Sequence, residues 1–101
     1  MYAEFHPEAD REFTEHALFY ERHESGLGRR FIDEVERGVN FLVSQPRIGA
    51  ELGSKLRYFV LDDFPFSLIY SIGPERIWIV AVAHQKRRPR YWQERENKRG
   101  R

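Results

Sequence analysis

The chain has no cysteine among its 101 residues. Disulfides and thiolate zinc sites are therefore excluded, and a reducing compartment is compatible with the composition. It also lacks a long apolar run. The longest, Ile77 to Ala83, is far too short to span a bilayer. Residues 1–15 are acidic and carry no apolar stretch of the kind a secretory signal needs. The expectation is a soluble cytoplasmic protein with no membrane partner. Internal repeats are absent, and the only biased segment is the basic C-terminal end. The length suits one domain. The expected division is a single domain over residues 1–95 and a basic tail over 96–101, ordered or disordered.

The usual enzyme signatures are missing as well. The four histidines are His6, His16, His23 and His84, and no H-E-x-x-H occurs. His16 and His23 lie two turns apart on one helical segment without a carboxylate placed to complete a site, so both are read as surface residues and no metal is expected. Gly26-Leu27-Gly28 resembles a fragment of a nucleotide-binding glycine loop. Phe31 stands where the third glycine belongs and no long strand precedes it, so a helix–helix turn is the better reading. No G-x-S-x-G is present, and Ser25, Ser44, Ser54, Ser67 and Ser71 have no evident base beside them. Asp62-Asp63 reads as turn chemistry and not as an acid–base pair. No cofactor is expected.

What is present is charge and aromatic surface. Charged residues make up 33% of the chain and aromatics 15%, while the net charge is only +1. Its distribution is uneven. Residues 1–24 hold seven acids against two Lys/Arg, whereas residues 84–101 hold eight Lys/Arg against two acids. A basic terminal segment on a near-neutral protein points to an anionic partner.

Periodicity organises the rest. Met1 to Phe5 reads as a short strand. Ala9, Phe13, Ala17 and Tyr20 recur at helical spacing, with Glu12, Glu15 and Arg22 assigned to the opposite, solvated side. Pro7 suits the first turn of that helix, and Glu8 and Asp10 suit the positive end of its dipole. The helix is expected over about Pro7 to His23. Leu27, Phe31, Val35, Val39 and Leu42 define a second helix, with Ser25 as its expected N-cap and Ser44-Gln45-Pro46 as its stop. So short a connection makes an antiparallel helical hairpin. Pro46 to Ser54, with Gly49 and Gly53, reads as a linker. Strands are then expected over Leu56 to Leu61, Phe66 to Ile72 and Arg76 to Ala83, separated by Asp62-Asp63 and Gly73-Pro74-Glu75. The last is apolar on both faces and so is expected to be central. The fold class is α+β, two layers, strand–helix–helix–strand–strand–strand, with the helical hairpin covering an antiparallel sheet.

One cluster stands out chemically: His84, Gln85, Lys86, Arg87, Arg88, Pro89, Arg90, Tyr91, Trp92. Four cations in five residues beside two aromatics suit an acidic protein surface or a phosphate backbone. Tyr91 and Trp92 have a second reading, in which they pin the C-terminal turn against the sheet. Both readings stand at this point.

The same segment resembles a known signature. Ala81-Val82-Ala83-His84-Gln85-Lys86-Arg87-Arg88-Pro89-Arg90-Tyr91-Trp92 is similar to the A-V-x-H-x-x-R-x-P-x-Y-W closing motif of ParE-like toxins, within the RelE/ParE superfamily. Phe64-Pro65-Phe66-Ser67-Leu68-Ile69-Tyr70 resembles the family's F-P-[YF]-x-[IL]-[IVL]-Y strand, and Phe5-His6-Pro7-Glu8-Ala9 its F-x-P-E-A opening. The motifs fall in family order over nearly the whole chain. The resemblance implies the toxin of a type II, plasmid-stabilisation type toxin–antitoxin system, a growth regulator neutralised by a cognate antitoxin and touching DNA only through it. The family has two kinds of target. RelE-like members cut mRNA on the ribosome, and ParE-like members inhibit DNA gyrase. Metal-free RNA cleavage needs a base, phosphate-binding cations and an acid. Matched by motif, the cation positions of the nucleases fall near Tyr58 and Val60, at Ser67, and at or next to Gln85; only Tyr91 is kept. The resemblance therefore implies a ParE-like gyrase inhibitor without catalysis. Its target-binding residues are expected to be His84, Lys86, Arg87, Arg88, Arg90, Tyr91 and Trp92. The alternatives are a ribosome-dependent mRNA endonuclease using Arg57, Arg87 and Tyr91, and a non-toxic partner-binding relative.

Overall fold

A computed structural model describes residues 1–88 and 90–98. The chain forms β1 (Tyr2–Phe5), α1 (Pro7–His23), α2 (Leu27–Ser44), a single 3₁₀ turn (Pro46–Ile48), β2 (Ala50–Leu52), β3 (Leu56–Val60), β4 (Phe66–Ile72), β5 (Arg76–His84) and α3 (Gln93–Lys98). The five strands make one sheet in the order β1-β5-β4-β3-β2. All neighbours are antiparallel except β1, which runs parallel to β5 from Tyr2 beside Arg76 to Phe5 beside Ile79. The α+β class follows from the sequence. The burial of β5 on both faces follows too: its alternate residues enter the core clusters on the two sides of the sheet, and it lies inside the sheet between β1 and β4.

Local sequence sets the helix ends. The His6 ring nitrogen Nδ1 accepts from Glu8 N at 3.0 Å and caps α1, while Pro7 occupies the first turn. The start of α2 differs from expectation. Its N-cap is Gly26, in the left-handed region at φ 90°, with no side-chain cap. Glu21, near the end of α1, does the work assigned to Ser25: its carboxylate accepts from Gly26 N at 2.9 Å and Gly28 N at 3.0 Å. A side chain at residue 28 would put its Cβ 2.5 Å from Ala17 O, so the glycine is what lets the two helices approach.

The linker expected over Pro46 to Ser54 is instead a 3₁₀ turn and an edge strand. Tyr70 explains its order. The phenol donates to Pro46 O at 2.6 Å and accepts from Gly49 N at 3.0 Å. Arg57 donates from the same side to Arg47 O at 3.1 Å and Gly49 O at 2.7 Å.

The main core lies between the helical hairpin and the sheet. Phe31, Val35, Leu42, Phe66, Leu68, Tyr70, Ile77, Ile79 and Val82 are fully buried there. Tyr20, Phe31, Phe64 and Phe66 pack as edge-to-face and tilted rings with centroids 4.9 to 6.3 Å apart. His16 belongs to this layer and not to the open surface. Its ring meets Phe66 edge-on at 4.7 Å, and burial lowers its pKa from the ordinary 6.5, with the Glu12 charge opposing.

The helical hairpin is not the only cover. On the opposite face Ile69, Trp78, Val80, Ala81 and Ala83 form a second cluster, against which Leu52, Leu56, Tyr91 and Trp92 pack. The β4–β5 register shifts between Ile69, beside Ala81, and Tyr70, beside Ile79. Val80 is the extra residue of this bulge, so Val80 and Ala81 both serve the second cluster. The domain boundary expected near residue 95 falls inside α3. Of the expected basic tail, Arg99 to Arg101 lie outside the described residues.

Candidate functional site

The site forms where β5 ends. β1 stops beside Ile79, and His6 N donates to Ile79 O at 2.9 Å as the chain turns away into α1. From Val80 onward β5 has no strand neighbour on that side. Backbone groups left at such an edge need partners, because burying them unpaired costs about 1–3 kcal/mol each. Side chains supply them. The Glu12 carboxylate, from α1, accepts from Val82 N at 3.0 Å. Arg95, from α3, donates to Val80 O at 3.2 Å.

Glu12 and Arg95 also bind each other. The guanidinium donates to Oε1 at 3.0 Å and Oε2 at 2.9 Å, and the two side chains are only 5% and 13% exposed. Tyr91 completes the group by donating its hydroxyl to Glu12 Oε2 at 2.7 Å. Burial, then the hydrogen bond to the Glu12 carboxylate and its charge, hold the Tyr91 phenol far above its ordinary pKa of 10.0. It is a fixed proton donor at any physiological pH.

The basic segment leads out of this anchor. After β5 the chain turns tightly: Gln85 N donates to Pro65 O at 2.8 Å and Arg87 N to His84 O at 3.0 Å. His84 shapes the turn, since its Nδ1 accepts from Lys86 N at 3.0 Å while its ring meets Phe66 edge-on at 5.0 Å. Lys86, Arg87, Arg88 and Arg90 are exposed. Arg90 takes a left-handed conformation at φ 65°. The Arg87 guanidinium lies 4.0 Å over the Tyr91 ring, and that of Arg95 lies 5.0 Å from it. Tyr91 and Trp92 pack edge-to-face at 5.4 Å.

Beside this turn lies a shallow pocket of about 290 Å³. Ile69 and Ala83 line it from the second face of the sheet, together with Tyr58 and Ser67. His84, Gln85, Arg87 and Trp92 line it from the turn side. Tyr58, Ser67 and Gln85, on three different segments, are therefore neighbours around one cavity, while Val60 is exposed beyond it. At these three positions the pocket offers a phenol, a hydroxyl and an amide, and Arg87 is the cation among its lining residues.

The expected target-binding residues thus fall into two groups. His84, Arg87 and Trp92 line the pocket, with Lys86, Arg88 and Arg90 exposed along the same segment. Tyr91 turns its hydroxyl inward to Glu12. Pro89 lies outside the described residues. Arg87 and Tyr91 come together, but Arg57 does not join them. It pairs across the sheet with Tyr70 on the helix-covered side and is occupied by the Arg47 and Gly49 carbonyls and by Glu51 at 3.5 Å.

Glu12 and Arg95 were not among the expected site residues. The sequence pattern puts Glu12 on the solvated side of α1, yet it is 4% exposed. At about 100° per residue it sits roughly 60° from Ala9, on the flank of the buried face, where a carboxylate can reach over the sheet edge. That angle is a signal in the sequence. Arg95 carries none, being one cation among many.

The model of the family described as "ParE toxin of type II toxin-antitoxin system, parDE" matches residues 3–89. A solved structure, the chromosomal ParDE toxin–antitoxin system from P. aeruginosa, shares the fold with a TM-score of 0.69 at 18% identity, over 83% of this chain and 95% of that one. No curated protein sequence matches the chain. With the family model spanning β1 to the turn after β5, the chain belongs to the ParE toxins of type II toxin–antitoxin systems.

Proposed function

We propose that this toxin acts in the cytoplasm by binding DNA gyrase through the Lys86–Arg90 segment and the adjoining pocket, without catalysis, and that a cognate antitoxin neutralises it. One observation carries the choice of a binding mode. Matched by motif, the cation positions of RelE-like nucleases fall near Tyr58 and Val60, at Ser67, and at or next to Gln85, and of these Tyr58, Ser67 and Gln85 line the pocket. Removing a preorganised donor from a transition-state site costs about 2.7–4 kcal/mol, so a set lacking several would have little catalytic power. What the segment keeps is suited to docking: exposed cations at Lys86, Arg87, Arg88 and Arg90 next to a half-buried Trp92. Arginine and tryptophan are enriched among residues that dominate protein interfaces, and a basic strip selects an acidic partner surface. The antitoxin is supported by the family itself.

The test is a supercoiling assay with purified gyrase and the intact chain. Inhibition at micromolar toxin, relieved by the antitoxin encoded beside it, is expected. Unaltered supercoiling at tens of micromolar removes gyrase as the target.

A further inference from the structure

We infer that Glu12, on α1, is a positioning residue for the target-facing surface: its carboxylate fixes Tyr91, and through the Tyr91 ring it fixes Arg87 and Trp92. This rests on the proposed role of Lys86–Arg90 as the docking segment.

Both Glu12 oxygens are saturated. Oε1 accepts from Val82 N and Arg95, and Oε2 from Tyr91 and Arg95. Such a cluster is poorly explained as a stabilising device alone, because a buried ion pair can often be replaced by apolar side chains without loss of stability. It does give geometry. Val82 N ties the carboxylate to the backbone of β5, so the Tyr91 hydroxyl is referenced to the sheet and not to a mobile side chain. The ring it orients then carries Arg87 on its face and packs edge-to-face with Trp92. Among the described residues Arg87 makes no salt bridge, and its guanidinium stacks on the Tyr91 ring. An arginine held before encounter loses less side-chain freedom on binding, which is how preorganisation strengthens an interface. Tyr91 and Arg95 also lie C-terminal to the 3–89 span of the family match, so this linkage from α1 joins the family core to a segment outside that span.

The experiment uses the full chain and its Tyr91→Phe and Glu12→Gln variants, with two readouts. The first is the NMR shift of the Arg87 side-chain protons, which the Tyr91 ring current displaces upfield. The second is potency in the supercoiling assay, set beside the thermal midpoint. Tyr91→Phe keeps the ring and its packing and removes only the link to Glu12. It is expected to move the Arg87 protons toward unstacked values and to lower potency about tenfold, equivalent to roughly 1.4 kcal/mol, while the midpoint falls by no more than the loss of one hydrogen bond explains. Glu12→Gln is expected to do both more strongly. A purely structural role would make potency follow the midpoint. Wild-type Arg87 shifts and potency in folded Tyr91→Phe overturn the inference, and that variant decides alone if Glu12→Gln does not fold. If the wild-type chain leaves gyrase untouched, the proposed target fails instead, and the Arg87 shifts decide the positioning by themselves.

Discussion

On the helix-covered face of the sheet, Phe31, Phe66, Leu68, Tyr70 and Ile79 are fully buried beneath two long helices, and rings pack on rings. On the opposite face a smaller cluster of Ile69, Trp78, Val80, Ala81 and Ala83 is closed by Tyr91 and Trp92, and the closing segment is anchored by the buried Glu12–Arg95–Tyr91 group. The first face draws on apolar area, which is non-directional and accumulates with every ring. The second draws on a few directional polar contacts, each of which can be broken singly. The first layer thus holds most of the apolar burial, and the second holds the directional contacts that lie next to the exposed basic segment.

The largest effect that would sharpen this contrast is a cavity in the main core. Phe31→Ala removes a ring that touches Phe13, Tyr20, Phe64 and Phe66. It is expected to cost about 3–5 kcal/mol, a large part of the 5–15 kcal/mol typical of a domain. Urea denaturation measures it, and a loss below about 1 kcal/mol would break the assignment of stability to that layer.

Next comes the polar anchor. Glu12→Ala leaves Arg95 and the Val82 amide without their partner, and breaking a buried pair this way costs about 3–5 kcal/mol; the lower end is expected because Arg95 keeps some access to solvent. Replacing both partners, Glu12→Leu with Arg95→Leu, removes the uncompensated charge but leaves Val82 N, Val80 O and the Tyr91 hydroxyl without these partners, so it is expected to recover only part of that stability in the same denaturation experiment. A double variant no more stable than Glu12→Ala would show the pair to be a stabilising element in its own right.

A smaller effect concerns pH. Burial lowers the His16 pKa below 6.5, so the unfolded chain binds this proton more readily than the folded one. The His16 contribution is fully present above about pH 6.5 and is lost as pH falls below it toward the folded value. The thermal midpoint of the wild type is expected to drop on that side more steeply than that of His16→Gln. Equal slopes would place His16 in solvent.

Much of this was legible in the sequence, for identifiable reasons. The bounds of α1 and α2 are marked by Pro7 and Pro46 and by clean helical spacing, and β5 reads as buried because it is apolar throughout. β2 was not legible. Three residues are too few for an alternation to show, and Pro46, Gly49 and Gly53 signal a loop; its order comes from Tyr70 and Arg57, distant in sequence. In the candidate site the basic segment was visible as charge. The anchor was hidden because it joins residue 12 to residues 82, 91 and 95, and no local pattern encodes a contact across that span.

The most direct measurement is growth after induction of Arg87→Ala with Arg88→Ala, alongside binding of the variant to the antitoxin. Both side chains are exposed, so stability should change by no more than about 0.5 kcal/mol. The expected result is a folded protein that no longer arrests growth and still binds the antitoxin. A double variant that arrests growth like the wild type would contradict the account, because the basic segment would then not be the surface that meets the target.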